Sequence, residues 1–249
     1  MFRRRYALYS GLVFVGVLLV LLSPLLHIKK ITIAGTKLVS GDEIVALGHQ
    51  QEARHRWLIF SQSSLLFFDA NTFRQTIREQ SPRIADVLVK RHFPPSLSVQ
   101  ITEHEASGVW QNQNRFFEIS NGGNILGEVV QPQAGEPVIV DSNRVVDTRP
   151  GETVITPELL QQINVITEGL RNFQPVKIQN FDIAKADEFT ISARITTGWD
   201  IFFSTHLDIP QQIQKLKVFV DQKEQENFQW QAGLHYVDLR FTTTRVYYQ

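Results

Sequence analysis

Histidine and the acidic residues are the side chains here with the chemistry for metal binding or acid–base catalysis, and the chain has 7 His and 25 Asp or Glu. No two histidines show the His-x-x-x-His or His-x-x-Glu-His spacing that brings ligands to one helical face. The densest cluster, Glu103-His104-Glu105, falls at the end of a β-prone run, where neighbours point to opposite faces and cannot converge on one ion. Asp187-Glu188 and Glu224-x-Glu226 are formally available as paired carboxylates for cleaving a glycan, but both sit in polar stretches, where solvated charge is their ordinary role. No nucleophile elbow, phosphate loop or Ser-x-x-Lys arrangement occurs, and with 0 Cys thiol chemistry is excluded. Net charge is +0 with scattered basic residues, unlike the clustered positive face of a nucleic-acid binder. These observations predict no catalytic, metal or cofactor site, no small-molecule substrate and no nucleic acid. Function is then expected to reside in surfaces.

The elements that would carry such surfaces begin with an uncharged run. Ala7–Leu26 is rich in Leu and Val and is about the length that crosses the roughly 30 Å hydrocarbon core of a bilayer. Arg3, Arg4 and Arg5 precede it and only Lys29 and Lys30 follow, which predicts a cytoplasmic amino terminus. Ser23-Pro-Leu-Leu-His27 offers no small-x-small cleavage site, so the run reads as an uncleaved anchor. The expected division is a short cytoplasmic tail (1–6), a transmembrane helix (7–26), a first domain (27–105) and a second (106–249).

In the first domain, Ile28, Ile31 and Ile33 start a strand that ends at Gly35. Ser40-Gly-Asp-Glu43 is a capping-box pattern for a short helix through Leu47, and Gly48 to Ser61 reads as a loop. Asp69 can cap a helix with Phe73 and Ile77 on one face, ended by Ser81-Pro82. Ile84–Arg91 and the Leu97, Val99, Ile101 alternation then form a hairpin about Phe93-Pro-Pro-Ser96, placing Val87 and Val89 in the core and Lys90 and Arg91 outside.

Strand, helix, helix, strand, strand resembles the POTRA domain of the bacterial division family FtsQ, also called DivIB. The likeness rests on Ile31-Thr-Ile-Ala-Gly35, Phe73–Arg78, Ser81-Pro-Arg-Ile-Ala-Asp-Val-Leu-Val-Lys-Arg91 and Phe93-Pro-Pro-Ser-Leu-Ser-Val-Gln-Ile-Thr-Glu103. Ala106-Ser107-Gly108 departs from the acidic-proline-alanine-aromatic run that the family usually carries there.

The second domain has a strand candidate at Arg115–Ser120, a positive-φ turn at Asn121-Gly-Gly-Asn124 into Ile125-Leu126, and a strand at Pro137–Val140. Thr156-Pro157 opens a helix striped by Leu159, Leu160, Ile163, Ile166 and Leu170. Strands follow at Val176–Ile183, Glu188–Ile195 and Trp199–Phe203, then a helix bearing Ile213, Leu216 and Val220, and a last strand at His235–Phe241. This half is also similar to FtsQ, through Tyr236-Val-Asp-Leu-Arg-Phe241 and Trp199.

The expected fold is therefore α+β: one amino-terminal transmembrane helix, a POTRA-like β-α-α-β-β domain, and a mostly antiparallel β domain with two or more helices. The resemblance implies a non-enzymatic scaffold in the plasma (inner) membrane at the division septum. It would link cytoplasmic division components to septal wall synthesis through FtsB/DivIC-like and FtsL-like partners and septal synthase components. It further implies an FtsB-like contact at Val237, Asp238, Leu239, Arg240 and Phe241 with Lys215 and Lys217, Arg240 offering its fork to a partner carboxylate, and a second contact at the POTRA edge through Lys90 and Arg91. A wall-modifying enzyme, or a POTRA chaperone module of an export system, is the alternative.

Overall fold

The computed structural model describes residues 12–16, 23–53, 64–141, 147–183, 189–226, 229–241 and 246–249. They divide into two compact units, Met1–Glu103 and His104–Gln249. Of the apolar run, residues 12–16 are helical and Pro24–Leu26 form a 3-10 turn, and the other residues up to Leu22 lie outside the described set. No helix among the described residues is long and apolar enough to cross a membrane.

The first unit runs β1 (Lys30–Ala34), α1 (Gly41–Glu52), α2 (Ala70–Gln80), β2 (Ile84–His92) and β3 (Ser96–Glu103). β3 is central in a sheet ordered β1-β3-β2, parallel to β1 and antiparallel to β2. The helices lie on one face, and their Ile44, Phe73 and Ile77 join Val87, Val89, Leu97, Val99 and Ile101 in one core. Asp69 caps α2 as its sequence suggests, its carboxylate accepting from Asn71 N–H and Thr72 N–H, both at 3.1 Å. Ser81 is extended at the other end, as a residue before proline must be.

α1 departs from expectation twice. Ser40 precedes it but makes no side-chain cap bond, and the helix continues through Gly48 to Glu52 instead of ending at Leu47. Gly48 is there because α1 crosses close over the sheet: a Cβ at this position would stand 2.5 Å from Ile31 Cδ1 and 3.4 Å from the Phe73 ring. It is a packing glycine that permits close approach, and its conformation is helical.

The described residues of the second unit form one nine-stranded sheet with two helices. Its strands are β4 (Ala106–Asn112), β5 (Arg115–Ser120), β6 (Ile125–Val129), β7 (Val138–Val140), β8 (Ile178–Asp182), β9 (Thr190–Ile195), β10 (Asp200–Ser204), β11 (Tyr236–Asp238) and β12 (Tyr247–Tyr248). The helices are α3 (Pro157–Leu170) and α4 (Ile209–Glu226), and the sheet order is β12-β11-β10-β9-β8-β7-β4-β5-β6. β4 is a strand the sequence did not suggest. Its Gly108, Val109 and Trp110 are buried in succession, which erases the period-two alternation that marks a strand with one wet face.

Local signals elsewhere hold. Thr156 Oγ1 accepts from Leu159 N–H at 3.3 Å with Pro157 opening α3. Gly123 takes φ 75° in the β5–β6 turn, where a Cβ would fall 1.8 Å from the Ile155 carbonyl oxygen. Leu160, Ile163, Ile166 and Leu170 of α3 and Ile213, Leu216 and Val220 of α4 are buried against Trp110, Phe181, Trp199 and Phe203 of the sheet and its turns.

Candidate partner-binding surfaces

The end of the larger sheet is built from β10, β11, β12 and α4. β11 lies parallel to β10 (Ile201↔Val237) and antiparallel to β12 (Val237↔Tyr248, Asp238↔Tyr247). The sequence leaves the edge open between Tyr236–Phe241 and the β-prone Thr242–Tyr248; the structure gives it to Tyr247-Tyr248, which returns to satisfy the backbone of β11. The strand expected at His235–Phe241 is correspondingly shorter, Tyr236–Asp238.

The residues proposed from the sequence at this end divide by burial. Val237, Asp238 and Leu239 are buried, whereas Phe241 is 46% exposed. Beside it Tyr247 and Tyr248 are also exposed, with the Phe241 and Tyr247 rings at 4.8 Å and Phe219 and Tyr248 at 5.2 Å. Between α4 and β12 runs an open groove of about 690 Å³, with Lys215, Val218, Phe219, Lys223, Val246 and Tyr248 among its lining residues. An edge strand, an aromatic ridge and a groove whose apolar floor is rimmed by Lys215, three glutamines and the Lys223–Glu226 pair together can take up an incoming extended or helical segment.

Arg240 departs most from its expected role. Its Nε donates to Asp238 Oδ1 at 3.0 Å and its Nη2 to Asp238 Oδ2 at 2.7 Å, while Nη1 reaches Thr190 Oγ1 at 3.2 Å. The fork expected to face a partner carboxylate is closed on a carboxylate of its own chain. The guanidinium also lies 5.3 Å from the Phe202 ring centre. Lys215 Nζ donates to the Phe241 carbonyl at 3.1 Å, and Lys217 Nζ stands 5.7 Å over the Phe173 ring, so both expected contact lysines also brace the fold. Lys223, not singled out from the sequence, lies 5.1 Å over Tyr248. Its ammonium is held above the ordinary lysine range by the bond to Glu226 first and by Tyr248 second.

Among the described residues of the first unit, β2 pairs only with β3 and forms a sheet edge. Lys90 is exposed on it. Arg91, expected beside it as a surface cation, turns its Nη2 to the Phe68 carbonyl at 2.7 Å and ties β2 to the segment before α2.

Glu103 has a role that sequence reasoning missed. Its carboxylate accepts the backbone N–H groups of Lys37 (2.7 Å), Leu38 (3.1 Å) and Val39 (3.1 Å), closing the turn between β1 and α1. Partial burial acts to raise its pKa, but the three backbone donors prevail and hold it below the usual carboxylate range. Only the β1-β3 adjacency brings Glu103 to that turn. Among the described residues no three His, Asp or Glu side chains come together as metal ligands.

These features define a class: a β-α-α-β-β unit of POTRA type followed by a sheet domain with an open, aromatic end. The family model of the POTRA domain, FtsQ-type, matches residues 26–104. The chain is 30% identical over 144 residues to the cell division protein FtsQ of Bradyrhizobium diazoefficiens, covering 57% of this chain and 39% of that protein. With FtsQ of Streptomyces bingchenggensis it is 26% identical over 163 residues, covering 64% and 58%. The matches thus span less than two thirds of either relative's length. A solved structure of the major extracytoplasmic domain of the cell division protein DivIB from Geobacillus stearothermophilus is similar over 49% of this chain and 93% of that one, at 14% identity and a TM-score of 0.27. Residues 26–104 are thus a POTRA domain of FtsQ type, and the chain is similar to FtsQ proteins of bacterial cell division over more than half of its length.

Proposed function

We propose that this protein is a non-enzymatic scaffold of the division machinery, held in the plasma membrane by a single helix over Ala7–Leu26. Its amino terminus is cytoplasmic and its two folded units lie outside, at the septum. There it joins cytoplasmic division components to septal wall synthesis by binding FtsB/DivIC-like and FtsL-like membrane proteins and components of the septal synthase.

The observation that carries this reading is the end of the nine-stranded sheet, where β12 pairs on one side with β11 and lies last in the sheet order. Its outer backbone groups can take up a partner strand. Phe241 and Val218 then supply the apolar contact and Lys215 the charge, with Lys217 further along α4. Val237, Asp238, Leu239 and Arg240 act from behind by holding β12 and Phe241 in place. The POTRA edge, through Lys90 and with Arg91 bracing it, is the second contact.

Capture of an FtsB-like ectodomain by the full chain tests this. Phe241→Ala and Val218→Asp each weaken capture while the melting temperature stays near that of the parent. Undiminished capture by both variants removes this surface. A reporter joined after Gln249 is active outside the cytoplasm, and a cytoplasmic signal refutes the orientation.

A further inference from the structure

At the end of the first unit where β1 begins, three segments of chain are tied together. Lys29 N–H donates to the Pro95 carbonyl at 2.9 Å, which fixes the β2–β3 turn beside the entry to β1. Leu65 N–H donates to the Leu26 carbonyl at 2.9 Å, and His27 is bridged to Ser64. Large apolar side chains on these segments face solvent: Phe93 is 83% exposed, Leu25 73% and Leu66 51%. None of the three belongs to the core of the unit. Lys29, Lys30, Lys90 and Arg91 stand among them, and residues 23–30, 64–68 and 90–96 include no Asp or Glu.

Exposed apolar side chains set among cations, with an aromatic at the tip, have the composition of a surface that lies at a lipid–water interface. Reach identifies the occupant. The four residue steps from Leu26 to Lys30 span at most about 14 Å, so this end of the sheet stays within that distance of the point where the apolar run ends. We propose that it seats on the membrane surface: Phe93, flanked by Leu25 and Leu66, enters the boundary between headgroups and acyl chains, and Lys29 and Lys30 pair with the phosphates of anionic lipids. The proposal rests on the reading of Ala7–Leu26 as the anchor.

With 0 Cys in the chain, single cysteines can each carry one polarity-sensitive fluorophore. The full chain is placed in phosphatidylglycerol–phosphatidylcholine liposomes containing spin-labelled lipid, with probes on Phe93→Cys, on Val15→Cys within the run, and on Leu38→Cys, an exposed site in the turn held by Glu103 at the opposite end of the sheet. The probe at 93 is quenched about threefold more than that at 38, and the difference falls with Lys29→Gln and Lys30→Gln or in phosphatidylcholine alone. With the probe moved to Leu66→Cys, Phe93→Ser lowers its quenching. Equal quenching at 93 and 38 with strong quenching at 15 overturns the proposal and leaves the anchor standing, which is the result expected if Phe93 docks on a protein. An unquenched probe at 15 overturns the anchor, and the proposal with it.

Discussion

Arg240, expected from the sequence to meet a partner, holds the sheet end together through Asp238. Asp238, whose side chain is 8% exposed, is neutralised by a guanidinium 37% exposed. Two unit charges about 4 Å apart attract by about 4 kcal/mol at an effective dielectric constant near 20. Solvent around the half-exposed arginine takes up part of this, leaving about 2 kcal/mol for the pair. Arg240→Ala leaves Asp238 with the backbone N–H of residue 240, now 3.0 Å from Oδ1, but without a counter-charge in a buried position. The second unit should melt about 4–8 °C lower, at 2–4 °C per kcal/mol for a domain of this size. Near-ultraviolet circular dichroism reads that unit well, since three of the 4 Trp, at 110, 199 and 230, belong to it. In a double-mutant cycle Asp238→Asn removes most of the effect of Arg240→Ala, while Phe241→Ala leaves the melt unchanged. A melt of Arg240→Ala within about 1 °C of the parent, or a coupling near zero, refutes the assignment of Arg240 to the fold.

The remaining predictions concern both units. Glu103→Gln destabilises the first unit by about 1–2 kcal/mol at pH 7, since charge-assisted bonds to three N–H groups become weaker neutral ones. Because the folded-state pKa of Glu103 is depressed, its contribution is complete above the ordinary value near 4.5 and fades as pH falls through the lower folded value, so the gap between parent and Glu103→Gln should close on acidification; a gap that widens in denaturant titrations below that pH contradicts the capping role. Val87→Asp places a carboxylate where 2% of the side chain meets solvent and should unfold the first unit, at about 4 kcal/mol or more, whereas Lys90→Glu should shift its melt by less than about 0.5 kcal/mol. Gly123→Ala meets the Ile155 carbonyl and forces a residue with a Cβ into φ 75°, and calorimetry should find the second unit destabilised by about 2–4 kcal/mol.

Signals carried within a few residues were legible in the sequence. Asp69 before α2, Ser81-Pro82 after it, Asn121-Gly-Gly-Asn124 and Thr156-Pro157 each act on the backbone within four positions. The features that escaped it depend on neighbours distant in the chain. Gly48 lies inside α1, not after it, because Ile31 and Phe73 leave no room there for a side chain; β4 hides its alternation because both of its faces are covered; and that Tyr247-Tyr248 takes the edge depends on its pairing with β11. The site residues follow the same division. Phe241 is exposed, but the closure of Arg240 on Asp238 depends on a bend after β11 that the alternating pattern of Tyr236–Phe241 conceals.

The parallel pairing of β1 with β3 has a mechanical consequence. Tension between the chain before Lys30 and the chain after Glu103 pulls the start of one strand against the end of its parallel neighbour, so the ladder is loaded in shear. All five registered pairs, from Lys30↔Ser96 to Ala34↔Gln100, resist together, whereas a hairpin pulled from its open end peels one pair at a time. The Glu103 carboxylate bolts the turn that follows β1 to the end of β3, so slippage of the ladder must first break that attachment. If the protein joins membrane to septum as proposed, such tension falls along the direction in which the paired strands of its smaller sheet resist together.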